Sequence, residues 1–237
     1  MNPKSIEPTK KRFQSRKKVD NYKYIGKLLI LPPLLLILLG LVSSSSVAYI
    51  AAFLFVIASL IFFPNYTTWR IGAEGEEKIA ELLSHLDGSY FVIHDVVLPG
   101  MVKENIDHVV LGPNGIFVLE TKNHKGYITC QGDWWTQRKI GRRGTPYFGN
   151  IGNPSKQVKR KAVLLNEFIH NHFKVNFYIN GIVVFANEKA KLKIINPTVA
   201  VLRPQELCSF IQQYRSTSNG IEPEELDAAI KPYSCFS

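Results

Sequence analysis

Hydrophobic and polar positions change period several times along this chain, and each change marks an element. From residue 28 to residue 63 there is no charged residue: LLILPPLLLILLGLV is followed by SSSS and then by VAYIAAFLFVIASLIFF. As one helix this run would extend about 54 Å, against roughly 30 Å for a bilayer's hydrocarbon core. Two helices turning at the serines fit better, and a membrane-crossing hairpin is the expectation for residues 28–63. Pro32 and Pro33 would lie in the first turn of the first helix or kink it. Beyond Trp69, Ile79, Leu82, Leu83 and Leu86 recur at helical spacing. Glu76 falls on that apolar face, whereas Glu74, Glu77 and Glu81 fall mostly off it.

Strand patterns come next. Residues 90–98 (YFVIHDVVL), 106–112 and 116–121 are rich in β-branched and aromatic side chains, and Gly112-Pro113-Asn114-Gly115 supplies a turn between the last two. Residues 154–172 return to helical spacing, with Val158, Ala162, Leu165 and Ile169 on one stripe. A fourth strand is expected over 179–186 and a short fifth over 198–202. Two short helices near 205–214 and 224–230 follow. The order predicts a mixed α/β domain, a mixed sheet flanked by helices.

Charge adds an organisation to this pattern. The net charge is +10, and residues 1–27 hold nine cations against Glu7 and Asp20. The excess is thus a basic amino-terminal tail, suited to anionic lipid or nucleic acid. With Lys and Arg dominating before the apolar run and Arg70 following it, the positive-inside rule puts both ends in the cytoplasm. The expected plan is a basic cytoplasmic tail (1–27), a membrane hairpin (28–63), a core domain (70–187) and its extension (188–237), located at the cell membrane. Cys130, Cys208 and Cys235 are odd in number and widely spaced, which suggests neither a disulfide framework nor a zinc site.

The candidate chemistry lies in IDHVVLGPNGIFVLETK, where Asp107, Glu120 and Lys122 interrupt otherwise apolar strands. Charges in a buried sheet need a partner or a purpose. If Pro113 and Asn114 form a two-residue connection, Asp107 falls opposite Glu120 on one face, with Lys122 beside it. A three-residue connection with a bulge at Gly115 would put the acids on opposite faces. Two close carboxylates call for a cation, and Mg²⁺ or Mn²⁺ suits hard oxygen donors. Such an ion would lower the pKa of a water and polarise a scissile phosphate, while Lys122 stabilises developing charge. His108 alternates with Asp107 and is expected to be packed away from the acids.

Gly72-x-x-Gly75-Glu76, Ile106-Asp107-His108, Gly112-Pro113-x-Gly115 and Glu120-x-Lys122 together resemble the nuclease-related domain, assigned to the PD-(D/E)XK, restriction-endonuclease-like superfamily. The resemblance covers about residues 70–185. It implies a restriction-endonuclease-like fold and an active site of Glu76, Asp107, Glu120 and Lys122, with Asp107, Glu120 and Glu76 as metal ligands. Gln157, in Asn153-Pro154-x-x-Gln157, resembles a glutamine found at the start of the following helix in some superfamily members. The superfamily's proline is absent before Asp107, where Ile106 stands.

Between Trp134 and Asn166 there is no acid. Arg138, Lys139, Arg142, Arg143, Lys156, Lys159, Arg160 and Lys161 are interleaved with Trp134, Trp135, Tyr147 and Phe148. The first seven of these cations are the expected nucleic-acid contacts, and the glycines among them suggest a mobile loop. The function expected is a membrane-anchored, metal-dependent nuclease acting on DNA, in which a homodimer would be needed for paired double-strand cuts. The alternatives are a non-catalytic nucleic-acid-binding module and a membrane scaffold with the same fold.

Overall fold

The structure is a computed structural model, and it describes residues 14–43, 46–101, 104–141, 143–215 and 221–235. The basic residues before Gln14, two of the serines at the expected helical turn, and Arg142 lie outside the described residues. The chain divides into two compact units, with residues 14–74 forming one and residues from Gly75 onward forming the other.

The first unit is a helical pair, α1 (Gln14–Ser43) and the first part of α2 (Ser46–Leu83). Lys18 Nζ lies 4.1 Å from the centroid of the Trp69 ring, so the start of α1 meets a late part of α2. Pro32 and Pro33 sit inside α1 rather than at its start. The expectation of a transmembrane hairpin is not met, because among the described residues no helix is long and apolar enough to cross a membrane. The apolar stretch is only a part of each helix. Helix α1 begins with Gln14, Arg16, Lys17 and Lys18, and α2 continues through Arg70 and Glu74. Leu34, Leu35, Leu38, Leu41, Phe53 and Leu54 are exposed in this unit.

The separate helix expected after Trp69 is the end of α2, which Gly72 and Gly75 do not interrupt. A glycine inside a helix costs only about 1 kcal/mol. At Gly75 the missing side chain is used, since a Cβ there would lie 2.7 Å from Asn123 Cβ.

The second unit is built on a five-stranded mixed sheet ordered β1-β2-β3-β7-β9. Its strands are β1 (Phe91–Val96), β2 (Ile106–Gly112), β3 (Gly115–Lys122), β7 (Ile179–Phe185) and β9 (Ala200–Leu202). β1, β2 and β3 run antiparallel, and β3, β7 and β9 parallel. The nearly unbroken apolar runs of β2, β3 and β7 follow from burial on both faces. On one face Val109, Leu111, Ile116, Val118 and Val183 pack with Val158, Leu165 and Ile169 of α3 (Pro154–Phe173). On the other, Val110, Phe117, Leu119 and Ile182 pack with Ile79 and Leu83 of α2 and with Leu207 and Ile211 of α4 (Pro204–Gln213). Helix α5 (Pro223–Ile230) and a 3-10 turn (Lys231–Tyr233) close the fold beside β1.

Much of the segment expected to hold a mobile loop forms a second sheet, ordered β6-β5-β4-β8, with Gly141 and Gly144 in the connection between two of its strands. The sheet comprises β4 (Gly126–Gln131), β5 (Trp134–Ile140), β6 (Pro146–Gly149) and β8 (Ala190–Ile195). Burial alternates along β5, with Trp135 and Gln137 inside and Trp134, Thr136 and Arg138 outside. Its outward aromatic and inward glutamine conceal the apolar–polar alternation from sequence inspection.

Gly126 begins β4 at φ +96°, and a Cβ there would sit 2.6 Å from the backbone oxygen of Arg138. Both the left-handed backbone and the close approach exclude a side chain. Gly126→Ala is therefore expected to lower the unfolding free energy by roughly 1–3 kcal/mol, measured by urea denaturation. Gly88→Ala, where a Cβ meets open space, should stay within about 0.5 kcal/mol of the parent. Equal effects at the two positions would show that the start of β4 is not constrained in this way.

Candidate functional site

The turn between β2 and β3 settles the register. Gly112 pairs with Gly115 and His108 with Leu119, so the connection is the two-residue Pro113-Asn114 and carries no bulge. Extended by one residue, this ladder brings Asp107 opposite Glu120, on the face that α3 covers. The backbone N–H of Thr121 donates to Asp107 Oδ2 at 2.7 Å, tying the end of one strand to the other. Both acids are buried, Asp107 at 7% exposure and Glu120 at 5%.

The cation between them is Lys161 of α3. Its Nζ donates to Asp107 Oδ1 at 3.0 Å and also to Glu120 Oε2. Lys122 donates to the remaining Glu120 oxygen, Oε1, at 2.5 Å. All four carboxylate oxygens thus accept from an N–H donor, in a cluster of two negative and two positive charges. Burial works to lower the Lys161 pKa, but the Asp107 and Glu120 carboxylates together outweigh it and hold the ammonium above its ordinary range.

Lys161 appears in the sequence as one cation among eight, and only helical phase singles it out. It stands three residues after Val158 and four before Leu165, on the buried stripe of α3. Asn153 caps that helix, its side chain accepting from the backbone N–H of Lys156, and Pro154 opens the first turn. These signals fix where α3 begins and hence where Lys161 points. Gln157 lies one turn earlier; its Oε1 is buried and without a hydrogen-bond partner.

Glu76 is half-buried on the carboxyl-terminal part of α2, which packs on the opposite face of the sheet from α3. Among the described residues no group of three or more His, Cys, Asp or Glu side chains could hold a metal ion. His108 is fully buried and faces away from Asp107, and its Nδ1 lies 2.8 Å from Nδ1 of His94. Burial lowers the pKa of His94 to about 4 and that of His108 well below its usual value.

The basic residues are dispersed. Lys159 pairs with Asp133 at 2.8 Å and Arg160 with Glu104. Arg138, Arg143 and Lys156 are exposed, and Lys139 is half-buried. Trp135 is buried, its indole N–H donating to Ser155 Oγ at 2.8 Å, whereas Trp134 is exposed.

Removing the central cation should expose the electrostatics of this cluster. Lys161→Met leaves two buried carboxylates facing each other and is expected to cost roughly 3–5 kcal/mol of stability at pH 8. The deficit should shrink towards pH 5, because repulsion raises the carboxylate pKa values in the folded variant and protonation then relieves it. Urea denaturation at both pH values checks this. A deficit independent of pH would mean that lost packing, not charge, is responsible.

A family model described as nuclease-related domain matches residues 71–186, the segment that carries Glu76, Asp107, Glu120, Lys122, Gln157 and Lys161. The chain is also similar to an uncharacterized protein of Bacillus anthracis, 39% identical over 74 residues, or 29% of this chain and 34% of that protein. The chain thus spans about a third of the length of that curated relative. No solved structure matches. Residues 71–186 match the nuclease-related domain family, whose general kind of fold is that of the PD-(D/E)XK superfamily.

Proposed function

We propose that this chain is a metal-dependent nuclease that hydrolyses phosphodiester bonds, with DNA as its substrate. The observation that carries this reading is the convergence of Asp107 and Glu120 at one end of β2 and β3, with Lys122 alongside. Two acidic side chains and a lysine on adjacent strand ends suit metal-assisted phosphodiester hydrolysis. Carboxylates position a hard cation, and an ammonium offsets charge that develops on the phosphate oxygens.

Asp107 and Glu120 would hold Mg²⁺ or Mn²⁺, which when bound supplies Lewis acidity towards the phosphate and acidifies a nearby water. Their oxygen donors suit such an ion, but the place between them is held by Lys161, whose ammonium must withdraw for the ion to enter. Lys122, the more exposed of the two lysines, is the one able to face substrate. Gln157, one turn from Lys161, would direct its amide towards the substrate or a water. Glu76 enters as a third acid on the family resemblance.

A second reading has an observation of its own. Because Lys161 already completes the charge balance, the cluster serves equally as a structural ion-pair core in a non-catalytic nucleic-acid-binding module. Incubation of the full chain with DNA and RNA, with Mg²⁺, Mn²⁺ or EDTA, separates the two. Metal-dependent cleavage is expected, reduced at least 100-fold by Asp107→Ala or Lys122→Met. Binding without cleavage under every metal condition would establish the second reading instead.

Placement at the cell membrane, with the nuclease-related domain on the cytoplasmic side, is proposed on the exposed leucines of α1 and the basic residues that begin that helix. The full chain is expected to float with vesicles of anionic lipid in a density gradient, and to float less as Leu34, Leu35 and Leu38 are replaced together by Ser. Sedimentation of the parent protein away from such vesicles would remove the membrane from the proposal.

A further inference from the structure

The second sheet carries an exposed face that the site chemistry does not use. Strand alternation turns Tyr127 of β4, Trp134 and Arg138 of β5, and Lys191 and Lys193 of β8 towards solvent. The register aligns four of the outward residues in one row. Phe148 of β6 pairs with Arg138, Arg138 with Tyr127, and Tyr127 with Lys191. At about 4.8 Å between strands this row is roughly 14 Å long.

Its composition is selective. The four strands contain Arg138, Lys139, Lys191 and Lys193 but no Asp or Glu. Phe148 is 81% exposed and Trp134 76%, both large rings left in water. Tyr127 lies within reach of two cations, 5.2 Å from Arg138 Cζ and 4.9 Å from Lys191 Nζ, measured to its ring centroid. Tyr127, Arg138, Phe148, Lys191 and Lys193 also line a groove of about 450 Å³.

We infer that this face binds single-stranded nucleic acid, with phosphates against Arg138, Lys191 and Lys193 and bases stacked on Phe148 and Trp134. Cations without carboxylates match a polyanion, and flat exposed rings match bases whose faces are not already stacked in a duplex. An anionic membrane would satisfy the cations, but the exposed apolar residues Trp134 and Ile195 at one end of this face and Ile140 at the other are separated by the rows of Thr129, Thr136 and Lys193 and of Arg138, Tyr127 and Lys191, so no continuous apolar surface is left to insert. The inference rests on nucleic acid being the ligand, as in the proposed function, and adds the strand type and the surface. Tyr127 follows Lys122 by only five residues, so the chain that leaves the acidic cluster enters this face directly.

The test uses the full chain in EDTA, so that binding is read without cleavage. The probes are a fluorescent 20-nucleotide oligo(dT), a duplex of equal length and phosphatidylserine vesicles. The single strand is expected to bind at least tenfold tighter than the duplex. Phe148→Ala with Trp134→Ala should weaken single-strand binding at least tenfold and duplex binding less than twofold. Lys191→Gln with Lys193→Gln should flatten the slope of log affinity against log salt by about 1.4. All four are exposed side chains, and unchanged circular dichroism confirms folding. Single-strand binding unaffected by the aromatic pair, preference for duplex, or vesicle binding with the same dependence on these residues would each overturn the inference. Cleavage by a protein whose binding ignores this face would overturn it while leaving the nuclease reading intact. Binding through this face without cleavage under any metal would do the reverse.

Discussion

Two carboxylates enclosed under one helix are the constraint around which the second unit is arranged. Neither Asp107 nor Glu120 has water enough to carry its charge alone, so a cation must come to them. Three pieces of local structure deliver it. The two-residue Pro113-Asn114 turn sets a register that puts both acids on the α3 face. The Asn153 cap and Pro154 fix the start of α3, and the spacing from Val158 to Leu165 brings Lys161 inward. A slip of one residue between β2 and β3 would turn one acid to the opposite face and leave Lys161 with half its partners. Turn, cap and helical phase are therefore tied to one electrostatic requirement, which explains why a lysine can occupy an otherwise apolar stripe.

Much of this was legible in the residues. The apolar runs of β2, β3 and β7 and the stripe of α3 stand out because each is buried on a continuous face. Asp107, Glu120 and Lys122 stand out because they interrupt such runs. What could not be read was of a different kind. Lys161 is hidden by its own neighbours, since Lys156, Lys159 and Arg160 make it look like one more solvated charge. The second sheet is hidden because its outward positions mix rings, threonines and cations, and glycines near β5 and β6 imitate a loop. The continuity of α2 through Gly72 and Gly75 is likewise invisible to propensity. Gly75 also meets Asn123, a contact between segments far apart in the chain that requires the glycine.

The division of labour between the faces of the main sheet bears on how the cluster can act. The α2 and α4 side is packed with Ile79, Leu83, Phe117, Leu207 and Ile211, and its buried polar residues include Asn180 and the His94–His108 pair. One ring nitrogen donating to the other requires at most one proton at that contact, and burial holds His94 near a pKa of about 4 with His108 also lowered. Near neutral pH these imidazoles carry no charge. They neither compensate Asp107 nor compete with Lys161 for it.

The charge balance of the site is consequently set by two ammonium groups whose exposures differ. Lys161 is enclosed between both acids, whereas Lys122 touches Glu120 alone and has more of its side chain in water. An enclosed ammonium with two carboxylate partners is costly to move, and moving it without a replacement cation would leave the acids repelling each other. Lys122 can leave Glu120 at smaller cost, because Lys161 still holds that carboxylate. The asymmetry separates the two lysines: Lys161 keeps the acids together in the resting fold, and in the proposed nuclease Lys122 would be the one to meet an incoming phosphate. The proposed chemistry would have to begin from that closed arrangement, so access of a metal ion to Asp107 and Glu120 would be governed by how readily α3 lets Lys161 withdraw.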